Sequence, residues 1–171
     1  MKASVFTTLA AAGLILAAPS QAAGTRPDWN KAPAFNDDKL VWILQVDGDT
    51  ASASYGHPES DHVILTLSCD GTGRVAASHV DAGFAPFSRY DVHLRAGQVE
   101  RSTTGTTRER WDLDDLVELS FILPGEGLFL SPLRKGESLS ILFSGPGIDM
   151  AGFTVPMPVA DLAPLFKSCH L

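Results

Sequence analysis

The densest run of chemistry-bearing side chains is YGHPESDH at residues 55–62, with two imidazoles and two carboxylates in eight residues. His57, Glu59, Asp61 and His62 are all competent ligands for a divalent cation such as zinc, which takes imidazole nitrogen and carboxylate oxygen. The obstacle is spacing. His57 and His62 are five positions apart across Pro58, so they converge only in particular loop shapes, and neither a His-x-x-x-His helix nor a thiolate pair supports them. The bland alternative is a solvated turn in which Ser60 or Asp61 bonds its own backbone before a strand begins. The turn is the reading we expect, and the loop is the candidate metal site. No other cofactor is implied.

Catalysis finds less support. Ser54, His57 and Asp61 are the residue types of a hydrolytic triad, but no Gly-x-Ser-x-Gly elbow is present and nothing orients the three. Asp112 with Glu118 would be a carboxylate pair for glycoside chemistry without an aromatic sugar platform beside it. Gly145-Pro146-Gly147 reads as a tight turn rather than a phosphate loop, because no helix N-terminus follows it. No catalytic residue is assigned. A second polar cluster runs from residue 89 to 113, where Arg89, Arg95, Arg101, Arg108 and Arg110 are interleaved with Tyr90 and Trp111. Its bland reading is an exposed hairpin whose guanidinium groups pair with the chain's own carboxylates. Its sharper reading is a binding face for an anionic or carbohydrate partner, with Arg89, Tyr90, Arg108, Arg110 and Trp111 as the candidate residues.

The elements that would position these residues are mostly strands, since the dominant hydrophobic period from Lys39 onward is two. Strands are expected at 40–46, 51–55, 62–69, 74–80, 89–94, 98–103, 108–113, 117–123, 138–144 and 151–154. They are short and punctuated by Gly, Pro, Asn and Asp, which favours an antiparallel β-sandwich, or a barrel-like relative, over βαβ units. Alternation assigns Val63, Leu65, Leu67 and Cys69 to one face, and likewise Val117, Leu119, Phe121 and Leu123, and Leu139, Ile141 and Phe143. A helical turn is expected around 128–133, limited by Pro132. Near the end, Val159, Leu162, Ala163 and Phe166 fall at helical spacing and predict a short C-terminal helix, kinked or shortened by Pro164.

The whole chain sets the compartment. Residues 1–22 read as a signal peptide: Lys2, an apolar run to Ala18, the helix breaker Pro19, and small residues at Ser20 and Ala22 before a cleavage site. Residues 23–38 read as an extended arm, from which Trp29 and Phe35 are able to dock on the body, and 39–171 as a single β domain. A formal charge of −7, made more negative by loss of Lys2, argues against nucleic acid and anionic lipid as partners. No further segment is apolar enough for stable membrane insertion once the signal is removed. In an oxidising compartment two cysteines and no third are most simply one disulfide, Cys69–Cys169, closing a loop of about 100 residues. The expected protein is therefore periplasmic or secreted. Its expected role is non-enzymatic, recognising another protein or an envelope component. The alternatives are a metal-binding protein or small hydrolase on the 57–62 loop, and an inhibitor of a cell-wall-degrading enzyme.

Three stretches carry a family resemblance: YGHPESDHVILTLSC, SPLRKGESLSILFSG and GFTVPMPVADLAPLFKSC. With the early Trp42, the Leu133–Gly136–Leu139 step, and the Gly152–Phe153 element before a helix ending at Cys169, they resemble the invasion-associated locus B group of exported bacterial proteins. The resemblance implies a periplasmic β-sandwich and supports the Cys69–Cys169 pairing. It carries over no catalytic residues, and it does not explain the insert ERSTTGTTRERW or the Pro-rich arm.

Overall fold

The computed structural model describes residues 26–35, 37–60, 62–69, 73–110, 112 and 116–169. The expected signal peptide, Asp61 and Trp111 lie outside these residues. Among them are nine strands and two short α-helices: β1 Val41–Asp47, β2 Thr50–Gly56, β3 Val63–Cys69, β4 Val75–Asp81, β5 Arg89–Ala96, β6 Val99–Glu109, β7 Val117–Ile122, α1 Gly127–Arg134, β8 Leu139–Gly145, β9 Ile148–Val155 and α2 Val159–Ser168. The mainly antiparallel β fold with a short C-terminal helix is as expected. Its strands form one sheet in the order β1-β2-β3-β4-β7-β6-β5-β8-β9, curled into a half-barrel. The β5–β6 hairpin is inserted between β7 and β8, and β4 pairs directly with β7 rather than with β5, its neighbour in sequence.

Alternation places the core. Leu65, Leu67 and Cys69 of β3, Leu119 and Phe121 of β7, and Leu139, Ile141 and Phe143 of β8 are all buried, as their spacing predicts. The two helices cover the inner face. In α1, Phe129, Leu130 and Leu133 are buried despite Pro132. In α2 the buried set is Leu162, Leu165 and Phe166, followed by Cys169, whereas Val159 and Ala163 are exposed. The apolar stripe therefore keeps its i, i+3, i+4, i+7 spacing but begins at Leu162, one turn later than expected, and ends at Cys169. The two cysteines, both buried, lie 2.5 Å apart.

One further expectation is corrected. The strand expected at 98–103 and the first residues of the one expected at 108–113 belong to a single strand, β6, which passes straight through Gly105 and ends at Glu109. TTGTT has the composition of a turn, but Gly105 is there for close packing. A Cβ at this position would stand 2.6 Å from Leu119 Cδ1 and 3.2 Å from Val92 Cγ2, so a larger residue would force these buried side chains to shift.

The arm closes one edge of the sheet. Ala34 bridges Thr154 of β9, the Thr154 amide donates to Pro33 O at 2.9 Å, and its hydroxyl donates to Ala32 O at 2.8 Å. Phe35 packs on Phe153 at 5.8 Å, and Trp29 lies over the Arg95 guanidinium at 4.5 Å while donating to Glu100 at 2.8 Å. Both arm aromatics thus dock on the body. Near the other edge, Trp42 stacks on Tyr55 and donates to Pro156 O at 2.7 Å, and α2 packs beneath β1, β2 and β3.

Candidate functional site

The 57–62 loop closes on itself. The His57 amide donates to His62 O at 3.1 Å, the Ser60 amide to His57 O at 3.4 Å, and the His62 amide to Ser60 Oγ at 3.2 Å. Gly56 permits this closure, since a Cβ there would collide with the His62 carbonyl. The ring of His57 turns toward the arm, with Nε2 3.1 Å from Asp37 Oδ2, and its centroid is 5.8 Å from that of His62. Glu59 points into solvent. Among the described residues no group of three His, Cys, Asp or Glu side chains comes together to hold a metal. Ser54, which has the residue type of a triad nucleophile, shares a hydrogen bond with Thr66 at 3.2 Å.

The arginine cluster divides. Arg108 pairs with Glu118 at 2.7 Å, Arg101 with Glu126 at 2.7 Å, and Arg110 forks onto Asp112 at 2.7 Å and 2.5 Å. The hydrogen bond from Arg110 holds the Asp112 carboxyl at about 2, and that same bond raises the guanidinium. These are pairings with the chain's own carboxylates, the bland reading of the cluster. Arg89 is exposed. Tyr90 does not belong on a binding face: it is 1% exposed, and its hydroxyl donates to Pro146 O at 2.8 Å while accepting from the Ala85 amide at 2.9 Å. Its place in the alternation of β5 turns it inward with Val92 and Leu94, so its neighbour Arg89 faces out and it does not.

The two clusters nevertheless meet. A hollow of about 570 Å³ lies over the outer face of β3 and β4, lined by Ser60, His62, Thr66, Ser78, Asp81, Arg110 and Asp112 among others. A smaller one of about 260 Å³, lined by Phe87, Arg108, Glu109, Arg110 and Asp112, adjoins it. The Arg110–Asp112 fork is common to both. Arg110 and His62 are far apart in sequence, and the pairing of β4 with β7 brings them to one end of the sheet.

Phe87 is the residue that sequence reasoning missed. The residue is 74% exposed and its φ is 51°, a left-handed conformation that is a genuine outlier for a bulky side chain. The loop carrying it is clamped on both sides. The buried Thr107 hydroxyl donates to Ala85 O at 2.7 Å and accepts from the Ser88 amide at 2.8 Å, while the Thr107 amide donates to Ser88 O at 3.0 Å. Tyr90 holds the Ala85 amide from beneath. An aromatic directly after Pro86, in a segment with no hydrophobic period, was the available signal.

No family model matches the chain, and no curated protein matches it. Among solved structures, the crystal structure of invasion associated protein B from Bartonella henselae matches 77% of this chain and 95% of its own, at 12% identity and a TM-score of 0.42.

Proposed function

We propose that this chain is an exported, non-enzymatic binding protein that engages a protein partner of the cell envelope at the end of the sheet bearing Phe87 and the Arg110–Asp112 fork. The observation that carries this reading is the exposed ring of Phe87, held in a left-handed conformation by a clamped loop. Neither exposure of the ring nor that backbone stabilises the monomer. A rigid aromatic beside arginines is the composition of an interface anchor, and rigidity lowers the entropy lost on association. Export is supported by the signal-like residues 1–22, and no helix among the described residues is long and apolar enough to cross a membrane. A disulfide between Cys69 and Cys169 is part of the reading, supported by the burial and proximity of the two residues.

The test is comparative capture from envelope extract with the parent chain, Phe87→Ala and Arg110→Ala. A protein retained by the parent and lost with both variants, each still folded by circular dichroism, supports the proposal. Capture indifferent to both substitutions sinks it.

A further inference from the structure

We propose that proton uptake by His79 releases the loop that displays Phe87, so that the partner site lets go in acid. The consequence rests on the reading of Phe87 as the partner anchor, and the release itself on the packing around His79. Residues 82–88 form the loop between β4 and β5. Phe84, only 4% exposed, roots this loop in the core. Its ring meets His79 edge-on at 5.7 Å, Tyr90 at 5.1 Å and Phe143 at 4.9 Å. The next residue, Ala85, is the anchor of the clamp, with its amide on the Tyr90 hydroxyl and its carbonyl on that of Thr107. Withdrawal of Phe84 therefore pulls Ala85 from both partners, two residues before Phe87.

The His79 side chain is 11% exposed. Its Nδ1 lies 2.6 Å from Ile64 O and must carry the proton of the neutral ring, because a carbonyl only accepts. A second proton can go only to Nε2. Asp81 Oδ2 stands 4.0 Å from that atom, beyond hydrogen-bond reach. Protonation would therefore create a buried charge whose new N–H has no acceptor among the described residues, and water must reach it. Phe143 and Phe153 are fixed within the β8–β9 pairing, and Leu119 stands opposite His79 on β7. Phe84 is the cover that sits on a loop, so loop opening is the route by which the ring is hydrated.

The charges around the ring do not reverse this. Asp81 is the charge that acts on it, and at 55% exposure its attraction is screened. Asp81 Oδ1 also accepts from the Gly83 amide at 2.7 Å, so turning toward a charged ring would loosen the first turn of the loop. Glu118 of β7 alternates to the other face and is held by Arg108. β3, β8, β9 and the loop offer Ile64, Phe143, Phe153 and Phe84, none of them titratable. With the loop closed, burial keeps the proton affinity of His79 below the ordinary value of 6.5. With it open, the hydrated ring regains that value. Below pH 6.5 the open form binds a proton that the closed form refuses, and the open-to-closed ratio rises as pH falls, by at most about tenfold per pH unit.

The experiment is amide hydrogen exchange by NMR at about pH 7.5 and about pH 5, each rate divided by its intrinsic value, with low urea added to separate local opening from unfolding. The Ala85 amide is expected to exchange through an opening insensitive to low urea, about tenfold more often at the lower pH. His79→Phe keeps an aromatic against Phe84 and is expected to abolish this response. Envelope-extract capture by the parent should fall over the same range, and capture by His79→Phe should not. Should His79→Phe fail to fold, the parent decides alone: the His79 ring and the Ala85 amide must titrate with one midpoint. Exchange of Ala85 only through global unfolding overturns the proposal, as does acceleration that persists in His79→Phe. A ring that stays neutral until the chain unfolds, or that titrates apart from Ala85, overturns it too. A loop that responds as expected in a chain that captures nothing upholds the release and refutes the partner reading instead.

Discussion

Phe87 carries two unfavourable features at once, and a substitution can separate them. A left-handed backbone costs a non-glycine residue about 1–2 kcal/mol, and the side chain recovers little by burial because the residue is 74% exposed. Phe87→Gly removes the backbone penalty and adds the larger unfolded-state entropy of glycine, roughly 0.5–1 kcal/mol. The expected net effect is a gain of a few tenths to about 1 kcal/mol in urea unfolding, together with loss of partner capture. A clear fall in stability would mean that the ring packs on the body, and the reading of Phe87 as a displayed anchor would fail. Tyr90 shows the same logic inverted. Beside the exposed Arg89 it looked like a binding aromatic, yet its hydroxyl joins Ala85 to Pro146 and so supports the loop that displays Phe87.

At the scale of elements, legibility followed locality. The period of two located the strands and the inward faces of β3, β7 and β8, because alternation is written within each segment. The joining of two expected strands into β6 was not legible, since the reason for Gly105 is Leu119 on another strand. The groove was hidden for the same reason. His62 and Arg110 share it only because β4 pairs with β7 rather than with its sequence neighbour β5. For α2 the spacing of the stripe was readable but its origin was not, because that depends on which residues meet the sheet. The meeting of Cys169 with Cys69 makes α2 testable as a unit. With the Cys69–Cys169 disulfide proposed above, Cys169→Ser is expected to destabilise the protein by about 2–5 kcal/mol. Hydrogen exchange should accelerate most within Val159–Ser168, whose buried residues Leu162, Leu165 and Phe166 lose their anchor. Uniform acceleration across the sheet instead would show that the link acts on the whole chain and not on the docking of the helix.

For the whole molecule, the pH dependence of stability should have two separate phases, set by a buried histidine and an exposed carboxylate. His79 of β4 points inward among aromatics, with Phe153 at 4.7 Å and Phe84 and Phe143 each at 5.7 Å. Its Nδ1 lies 2.6 Å from Ile64 O, and Asp81 is 4.0 Å from Nε2. Burial lowers its affinity for a proton below the ordinary value of 6.5, against smaller opposing contributions from the Ile64 carbonyl and Asp81. Below pH 6.5 the unfolded chain therefore takes up a proton that the fold excludes, and stability falls as pH falls, by at most about 1.4 kcal/mol per pH unit. Asp112 is shifted in the same direction for a different reason: the hydrogen bond from Arg110 favours its charged form and holds its carboxyl at about 2 when folded against 3.8 ordinarily. Its contribution is complete above 3.8 and is lost only as pH drops from there toward about 2. Urea unfolding from about pH 7.5 to about pH 4.5 should therefore report His79 alone of the two. His79→Phe keeps an aromatic in the cluster and removes the titration. The variant starts less stable, because the Ile64 carbonyl loses its donor, but its stability should be nearly flat over this range, so that the two curves converge toward acid. Parallel curves would show that another group governs the neutral-to-acid loss and would remove His79 from the account.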